Sequence, residues 1–295
     1  MHDFNYQAPT SLAEALALHA QAGSGGRFLA GGTDLFLAME HGSGPVTCVI
    51  DLKHIPALKE IEIDSLGRLT LGALATMAEV ERHPEVRAHW QALAEAAAVV
   101  GGPPVRNRAT IGGNICNASP AADTSVALLA LGAEVVVDTA TGGERERPLS
   151  NLWESPRHTT LAHGEVLRMV HLPQPPANSG SAFQRVTRAA MDIAIANAAA
   201  RVTLANDNTM DSLVVALGAV APTVITVPGM DQLLGYPCDC AALDQVEEMA
   251  RDAAQPITDH RASADYRRDM AGVLARRAVE TAVARADHQP GEATP

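Results

Sequence analysis

Aromatic residues and lysines are scarce in this sequence, and both scarcities exclude classes of function. Only 3% of the 295 residues are Phe, Trp or Tyr, which is too few for a platform on which nucleic-acid bases stack. The only lysines, Lys53 and Lys59, do not adjoin a glycine, so a phosphate loop of the Walker A type is absent. The net charge of −12 also disfavours a nucleic-acid surface. We therefore expect neither a nucleic-acid partner nor a lysine-rich phosphate site.

Cysteines and long apolar runs are also few. Four cysteines in a chain of this length do not indicate a disulfide scaffold. Cys238 and Cys240 lack a second pair nearby, and the histidines show no His-Glu-x-x-His spacing, so we assign no metal site. Apolar runs such as residues 126–137 are broken well short of a membrane span. With no signal-peptide pattern at the N-terminus, we expect a soluble, cytoplasmic protein.

Two loops built around glycine pairs are the most informative feature that is present. A glycine pair permits positive φ and close backbone approach, so successive N–H groups can form a concave nest for an anion. Two such nests could grip a diphosphate from both sides with backbone donors alone. One Gly-Gly turn is ordinary turn chemistry, but two loops of this composition are harder to explain in that way. The residues are Leu29, Ala30, Gly31, Gly32, Thr33, Asp34 and Leu35 in the first glycine loop, and Thr110, Ile111, Gly112, Gly113 and Asn114 in the second.

Other chemistry-bearing motifs are missing. No Gly-x-Gly-x-x-Gly follows a strand, and neither a nucleophile elbow nor an Asp-rich calcium loop is found. Arg106 and Arg108, just before the second glycine loop, leave two interpretations open: a solvated turn, or local compensation for a bound anion. The sequence thus offers loops that can bind an anion but no catalytic triad, metal site or nucleophile. This combination is typical of a protein whose bound cofactor performs the chemistry.

The pattern of elements predicts two domains. The first 51 residues alternate strand, helix, strand, helix and strand, with the first glycine loop at a strand-to-helix transition. The proline-rich residues 173–180 predict a linker. Beyond it, an antiparallel meander is expected, followed by two helices over 243–254 and 264–285. We expect domains over 1–175 (subdomains about 1–55 and 56–175) and 181–286, and a frayed tail over 287–295.

These motifs resemble those of the FAD-binding medium subunit of the molybdenum hydroxylases, the family of xanthine dehydrogenase and carbon monoxide dehydrogenase. The resemblance is carried by both glycine loops, by residues 115–123, and, past the linker, by residues 183–188, 192–194, 217–222 and 263–268. It covers about residues 3–285, with the motifs in the family's order. It implies an α+β fold: a two-part FAD-binding domain of the vanillyl-alcohol-oxidase (PCMH) type, followed by an antiparallel sheet with helices.

The resemblance also implies roles for single residues. The first glycine loop would wrap the FAD diphosphate, and the second would approach it from the other side. Asn117 and Asp123 would contact the diphosphate and the ribose, and Leu167 would pack near the flavin or adenine. Simpler interpretations remain open: Asp123 and Thr33 as helix caps, Asn114 as a residue that tolerates a left-handed turn, and Leu167 as part of the core.

At two expected FAD contacts this chain departs from the family's pattern. Many relatives carry a lysine shortly after the aromatic at Phe183, whereas Gln184 and Arg185 occur here. Arginine keeps the charge but changes its reach and hydration. Some relatives place an aromatic residue against the flavin where this chain has Ile193. The sequence therefore leaves undecided which external electron acceptor is used and how the flavin is shielded.

For function, the resemblance implies noncovalent FAD on this chain, with molybdopterin on a large partner subunit and [2Fe–2S] clusters on a small one, in a dimer of heterotrimers. FAD would take electrons from the clusters and pass them to an external acceptor. Two alternatives are a stand-alone FAD-dependent oxidase of the same fold and a nucleotide-binding module without redox chemistry. The organic substrate is not implied, because the family places its pocket on a different polypeptide.

Overall fold

The computed structural model describes residues 3–42 and 46–287, which form four sheets and ten α-helices within those ranges. Helices and sheets are mixed as the expected α+β class requires. Of the tail expected over 287–295, only Asp287 lies within the described residues, where it ends the last helix. Residues 288–295 lie outside them.

The first unit is a three-stranded parallel sheet in the order β1–β3–β2. Its helix α1 begins at the cap residue Ser11, whose hydroxyl accepts from the backbone N–H of Glu14 at 3.2 Å. Because parallel strands end at one edge, Leu29 at the end of β2 lies beside Asp51 at the end of β3. The first glycine loop therefore leaves the sheet at the edge where α/β proteins place ligands. The elements are β1 (Asn5–Gln7), α1 (Leu12–Ala22), β2 (Gly26–Leu29), α2 (Leu35–Glu40) and β3 (Cys48–Asp51).

The second unit is a five-stranded antiparallel sheet in the order β4–β5–β10–β6–β7, with six helices inserted between β5 and β6. A small hairpin, β8–β9, accompanies it. The elements are β4 (Ile61–Ile63), β5 (Leu69–Gly72), α3 (Met77–Arg82), α4 (Pro84–His89), α5 (Gln91–Ala98), α6 (Pro103–Arg106), α7 (Ile111–Cys116), α8 (Asp123–Ala130), β6 (Glu134–Thr139), β7 (Glu144–Pro148), β8 (Trp153–Ser155), β9 (His158–Thr159) and β10 (Glu165–Leu172).

Several short elements of this unit were not predicted from the sequence. Pro56 opens a 3-10 turn that ends at Leu58, and strand β4 begins three residues later at Ile61. Strand β7 carries alternating acidic and basic residues and no apolar face, so it lacks the signal that predicts a half-buried strand. Its residues pair with β6 at the edge of the sheet.

The third unit is a four-stranded antiparallel sheet in chain order, covered by a long helix against which a second helix packs. The predicted meander and both helices are confirmed, although β11 begins at Ser179, inside the expected linker, where it pairs with Thr203. Gly180 is needed there, because a Cβ would lie 2.1 Å from the backbone oxygen of Ala282 on the long helix. The elements are β11 (Ser179–Val186), β12 (Ala196–Leu204), β13 (Met210–Gly218), β14 (Ile225–Thr226), α9 (Cys240–Ala253) and α10 (Ala264–Asp287).

Helix α5 connects the second unit to the third through polar contacts. The carboxylate of Glu95 accepts from the backbone N–H of Phe183 at 2.9 Å and from the guanidinium of Arg285. The N–H of Ala92 donates to the hydroxyl of Ser181 at 3.2 Å. Apolar residues of α5, α8 and the third sheet also share one core cluster. The C-terminal sheet is thus fixed against α8, which begins close to the second glycine loop.

Candidate functional site

The first glycine loop presents backbone donors that the protein itself does not use. Gly32 has a φ of +82°, a region that favours glycine. Gly31 packs so closely that a Cβ would lie 1.9 Å from the backbone oxygen of Arg108. Within the described residues, the N–H groups of Gly31, Gly32 and Thr33 donate to no acceptor. These donors suit an anion such as a diphosphate.

The second glycine pair lies inside a helix rather than in an open loop. Thr110 caps α7, since its hydroxyl accepts from the N–H of Gly113 at 3.1 Å. The N–H of Gly112 donates to the carbonyl of Ala73 at 2.8 Å, and a Cβ on Gly112 would lie 2.7 Å from the same oxygen. The prediction that this loop forms a second nest of free backbone donors is therefore wrong. Its glycines serve close packing instead.

Asn114 also sits in the helix, so its interpretation as a left-handed turn residue is wrong. Its side-chain oxygen accepts from the hydroxyl of Thr124 on α8 at 2.7 Å. Thr33 does not cap α2: the cap residue is Asp34, and the Thr33 hydroxyl donates to the Asp34 carboxylate at 3.4 Å. Ile111 is fully buried. Asn114, Thr33 and Ile111 therefore make contacts within the protein that hold the two glycine loops in place.

The fold brings the two glycine loops together. The side-chain nitrogen of Asn117 donates to the carboxylate of Asp34 at 3.2 Å, which joins the end of α7 to the start of α2. A Cβ on Gly113 would lie 3.7 Å from the Cβ of Ala30. The first loop thus lies against α7, and we call the surface that these two segments form the cradle; within the described residues, free backbone donors are found in its first loop.

Asp123 lies in a buried polar cluster at the boundary between the domains. Its carboxylate accepts from Arg185 at 3.0 Å and from the side-chain nitrogen of Asn197 at 2.7 Å. Asp123 is 8% exposed and Asn197 is completely buried. Burial raises the pKa of Asp123 to about 6, although Arg185 and Asn197 act in the opposite direction. Asp123 does not cap α8, whose cap residue is Ala122, so that interpretation is wrong.

The raised pKa of Asp123 predicts a pH dependence of stability. A carboxyl whose pKa lies above its ordinary 3.8 in the folded chain binds its proton more tightly there. Its contribution to the free energy of unfolding is therefore complete below about pH 4 and is lost as the pH rises through about 6. We expect the stability of the parent chain, relative to that of Asp123→Asn, to fall between pH 4 and pH 6. Urea unfolding of the FAD-free proteins measures this difference.

Asp207 provides the matched control. It is exposed, and hydrogen bonds from Thr209 lower its pKa, so its stabilising contribution is lost only as the pH falls below this window. The parent chain relative to Asp207→Asn should show no fall between pH 4 and pH 6. If the stability difference between the parent chain and Asp123→Asn were also constant between pH 4 and pH 6, the prediction would be wrong.

The remaining predicted contacts lie in different environments. Leu167 is 3% exposed and packs in the largest core cluster, which agrees with the core interpretation, and its contact with FAD stays a prediction. Ile193 is 51% exposed. It follows Asp192, which pairs with Arg188 at 2.7 Å, and Met191, on the other side of Asp192, is also exposed. The segment is thus a loop held by the ion pair of Arg188 and Asp192, with two exposed apolar side chains.

The two arginines before α7 differ from each other. Arg106 pairs with Glu81 at 2.8 Å and donates to the carbonyl of Gly101 at 3.1 Å. Arg106 is therefore engaged within the protein, and neither interpretation made from the sequence applies to it. Arg108 is exposed, and its backbone, not its side chain, contacts the first glycine loop.

Sequence reasoning missed two residues at this site. Lys53 reaches the carbonyl of Ala30 at 3.3 Å, although it stands far from any glycine in sequence. Asn197 binds Asp123 across the domain boundary. The one sequence signal for Lys53 was its position two residues after Asp51, which ends strand β3 at the same edge of the sheet as the first glycine loop.

Within the part of the chain that is described, no group of three or more His, Cys, Asp or Glu side chains could hold a metal ion. In the same residues, no helix combines the length and apolarity needed to cross a bilayer.

Comparison with known proteins identifies the family. Residues 2–175 match the FAD binding domain in molybdopterin dehydrogenase, and residues 181–282 match the CO dehydrogenase flavoprotein C-terminal domain. The carbon monoxide dehydrogenase medium chain of Hydrogenophaga pseudoflava is 33% identical over 96% of this chain and 98% of its own. The xanthine dehydrogenase FAD-binding subunit of Escherichia coli O157:H7 is 31% identical over 97% and 98%.

Solved structures agree with these matches. Carbon monoxide dehydrogenase from Hydrogenophaga pseudoflava superposes with a TM-score of 0.92 at 32% identity, covering 96% of this chain and 98% of that one. Quinoline 2-oxidoreductase from Pseudomonas putida 86 gives 0.90 at 28% identity, covering 97% and 99%. The resemblance of the glycine motifs is thereby confirmed, and the chain belongs to the FAD-binding medium subunits of the molybdenum hydroxylase family of oxidoreductases.

Proposed function

We propose that this chain binds FAD noncovalently and acts as the electron-transfer subunit of a heteromeric molybdenum-containing dehydrogenase. In this proposal a small partner carries [2Fe–2S] clusters and a large partner carries molybdopterin, where substrate is hydroxylated. Electrons pass from the clusters to FAD and then to an external acceptor. The observation that carries the proposal is the first glycine loop, which lies against α7 and whose N–H groups at Gly31, Gly32 and Thr33 have no acceptor within the described residues.

The residues present fit the cofactor. Backbone donors in the first loop suit the diphosphate, and the missing Cβ of Gly31 lets that loop lie directly against the backbone of Arg108. FAD supplies the redox chemistry when bound, while the chain binds, orients and shields it. The proposed contacts in the first loop are Leu29, Ala30, Gly31, Gly32, Thr33, Asp34 and Leu35. Those at α7 are Thr110, Ile111, Gly112, Gly113 and Asn114, whose N–H groups from Ile111 to Asn114 are already paired within the protein and which would therefore meet FAD by shape and not as free donors. The others are Asn117, Asp123, Leu167, Arg185 and Ile193.

Purification of the tagged chain from its native host tests the proposal. We expect large and small partner chains to co-purify with molybdenum, iron and FAD, at a mass that corresponds to a dimer of heterotrimers. Acid or heat should release intact FAD from the complex. We also propose a cytoplasmic location, which fractionation of the same cells tests.

Two results would contradict the proposal. A monomer that oxidises a small organic molecule by itself would favour a stand-alone FAD oxidase. An assembled complex that contains FMN or no flavin would remove the cofactor assignment. The matched control is a culture with the untagged chain, which sets the background of metal and flavin.

A further inference from the structure

Three side chains form a hydrogen-bonded series that ends on the first glycine loop. The hydroxyl of Tyr6 donates to Oδ2 of Asp51 at 2.5 Å, and Oδ1 of Asp51 pairs with Nζ of Lys53 at 2.6 Å. The same Nζ donates to the carbonyl of Ala30 at 3.3 Å. Tyr6 lies on β1 and Asp51 ends β3. The series therefore connects the parallel sheet to the residue that precedes Gly31.

The central carboxylate is held in its charged form. Asp51 is 3% exposed, and this burial disfavours ionisation, but hydrogen bonds from Lys53 and Tyr6 outweigh it and lower the pKa of Asp51. The backbone N–H of Lys53 also donates to Asp51 at 2.9 Å. Both the main chain and the ammonium of Lys53 are thus fixed by one buried anion.

The contact with Ala30 determines the direction of a neighbouring donor. The carbonyl of Ala30 and the N–H of Gly31 belong to one peptide unit, and in a trans peptide these two groups point in opposite directions. A carbonyl held toward Lys53 therefore turns the N–H of Gly31 away from Lys53. That N–H has no acceptor within the described residues. It is one of the donors assigned to the diphosphate.

We propose that Lys53 is a positioning residue for FAD, which orients the Ala30–Gly31 peptide toward the diphosphate. The inference rests on the proposed FAD binding. Because Asp51 already pairs with the ammonium, Lys53 acts by fixing the loop before the ligand arrives and not as a free phosphate-binding charge. Such preorganisation increases affinity by reducing the cost of ordering the loop.

Titration of FAD into the full-length, FAD-stripped chain tests this, with flavin fluorescence as the readout. We expect Lys53→Met to weaken binding about tenfold, in line with the loss of a hydrogen bond to a charged group. Lys53→Arg, which restores a cation able to span the same partners, should bind within about threefold of the parent chain. Lys59→Met is the matched control, since Lys59 is exposed, and should bind as the parent does.

Salt dependence separates positioning from direct phosphate contact. If the ammonium of Lys53 is paired with Asp51, the dependence of FAD affinity on salt concentration should be the same in Lys53→Met as in the parent chain. If the ammonium binds phosphate directly, Lys53→Met should show a weaker salt dependence. Tyr6→Phe is a second test of the series. This substitution removes the hydrogen bond from Tyr6 to Asp51 at a residue that is itself exposed, and it should weaken FAD binding about twofold.

The outcomes are distinct. Unchanged affinity in Lys53→Met, or weaker affinity with a lower salt slope and no rescue by arginine, would overturn the inference. If Lys53→Met does not fold, unchanged affinity in Tyr6→Phe would overturn it. A parent chain that does not bind FAD at all would instead refute the proposed function.

Discussion

Replacement of Gly31 by alanine is expected to weaken FAD binding strongly. The added Cβ would lie 1.9 Å from the backbone oxygen of Arg108 and 2.7 Å from its carbonyl carbon. Neither atom can rotate away as the end of a side chain could, so the first glycine loop must shift away from the segment that precedes α7. A shift that misplaces the diphosphate donors should weaken FAD at least tenfold, or about 1.4 kcal/mol. The flavin-to-protein absorbance ratio after purification with excess FAD measures the loss.

Gly143→Ala is the matched control for this substitution. Gly143 lies in the exposed turn between β6 and β7, and its Cβ would meet only the hydroxyl of Thr139 at 3.3 Å. This variant should retain full flavin. Far-UV circular dichroism of both variants shows whether the domains remain folded. Full flavin in a folded Gly31→Ala protein would remove the first loop from the site.

Replacement of Asp123 by leucine is expected to cause the largest loss of stability. Arg185 would remain almost buried without its carboxylate, since its side chain is 11% exposed. An uncompensated buried charge typically costs about 3–5 kcal/mol. Urea unfolding of the FAD-free chain measures this directly, without any contribution from the cofactor.

The double variant Asp123→Leu/Arg185→Met gives the decisive comparison. Removing both charges leaves no unpaired ion, so most of the lost stability should return. The side chain of Asn197 then loses its acceptor, which keeps the recovery incomplete. If the double variant were as unstable as the single one, the cost would come from packing and not from the charge.

The order of elements and the family could be predicted from the sequence, because glycine pairs, helix caps and apolar alternation are local signals. The cap residue Ser11 and the capping box at Thr76 both begin helices, and both are signals contained within four residues. The first glycine loop follows its strand as expected. Whether any predicted residue contacts FAD stays a prediction.

The rest depends on contacts between distant residues. Gly112 was interpreted as part of a turn, but it lies in the first turn of α7, where its N–H has no partner within the helix and donates to the carbonyl of Ala73, 39 positions earlier in the numbering. Asp123 and Arg185 are 62 residues apart. Lys53 and Ala30 are 23 apart. No local pattern contains these pairs, since only the folded sheets bring them together.

The helical second wall of the cradle has a consequence for the FAD-free chain. Its amides are satisfied by the polypeptide itself, so this wall is complete before any flavin arrives, and only the first loop awaits a ligand. We therefore expect α7 to keep its fold in the FAD-free chain, and amide hydrogen exchange there should show protection that does not depend on added flavin.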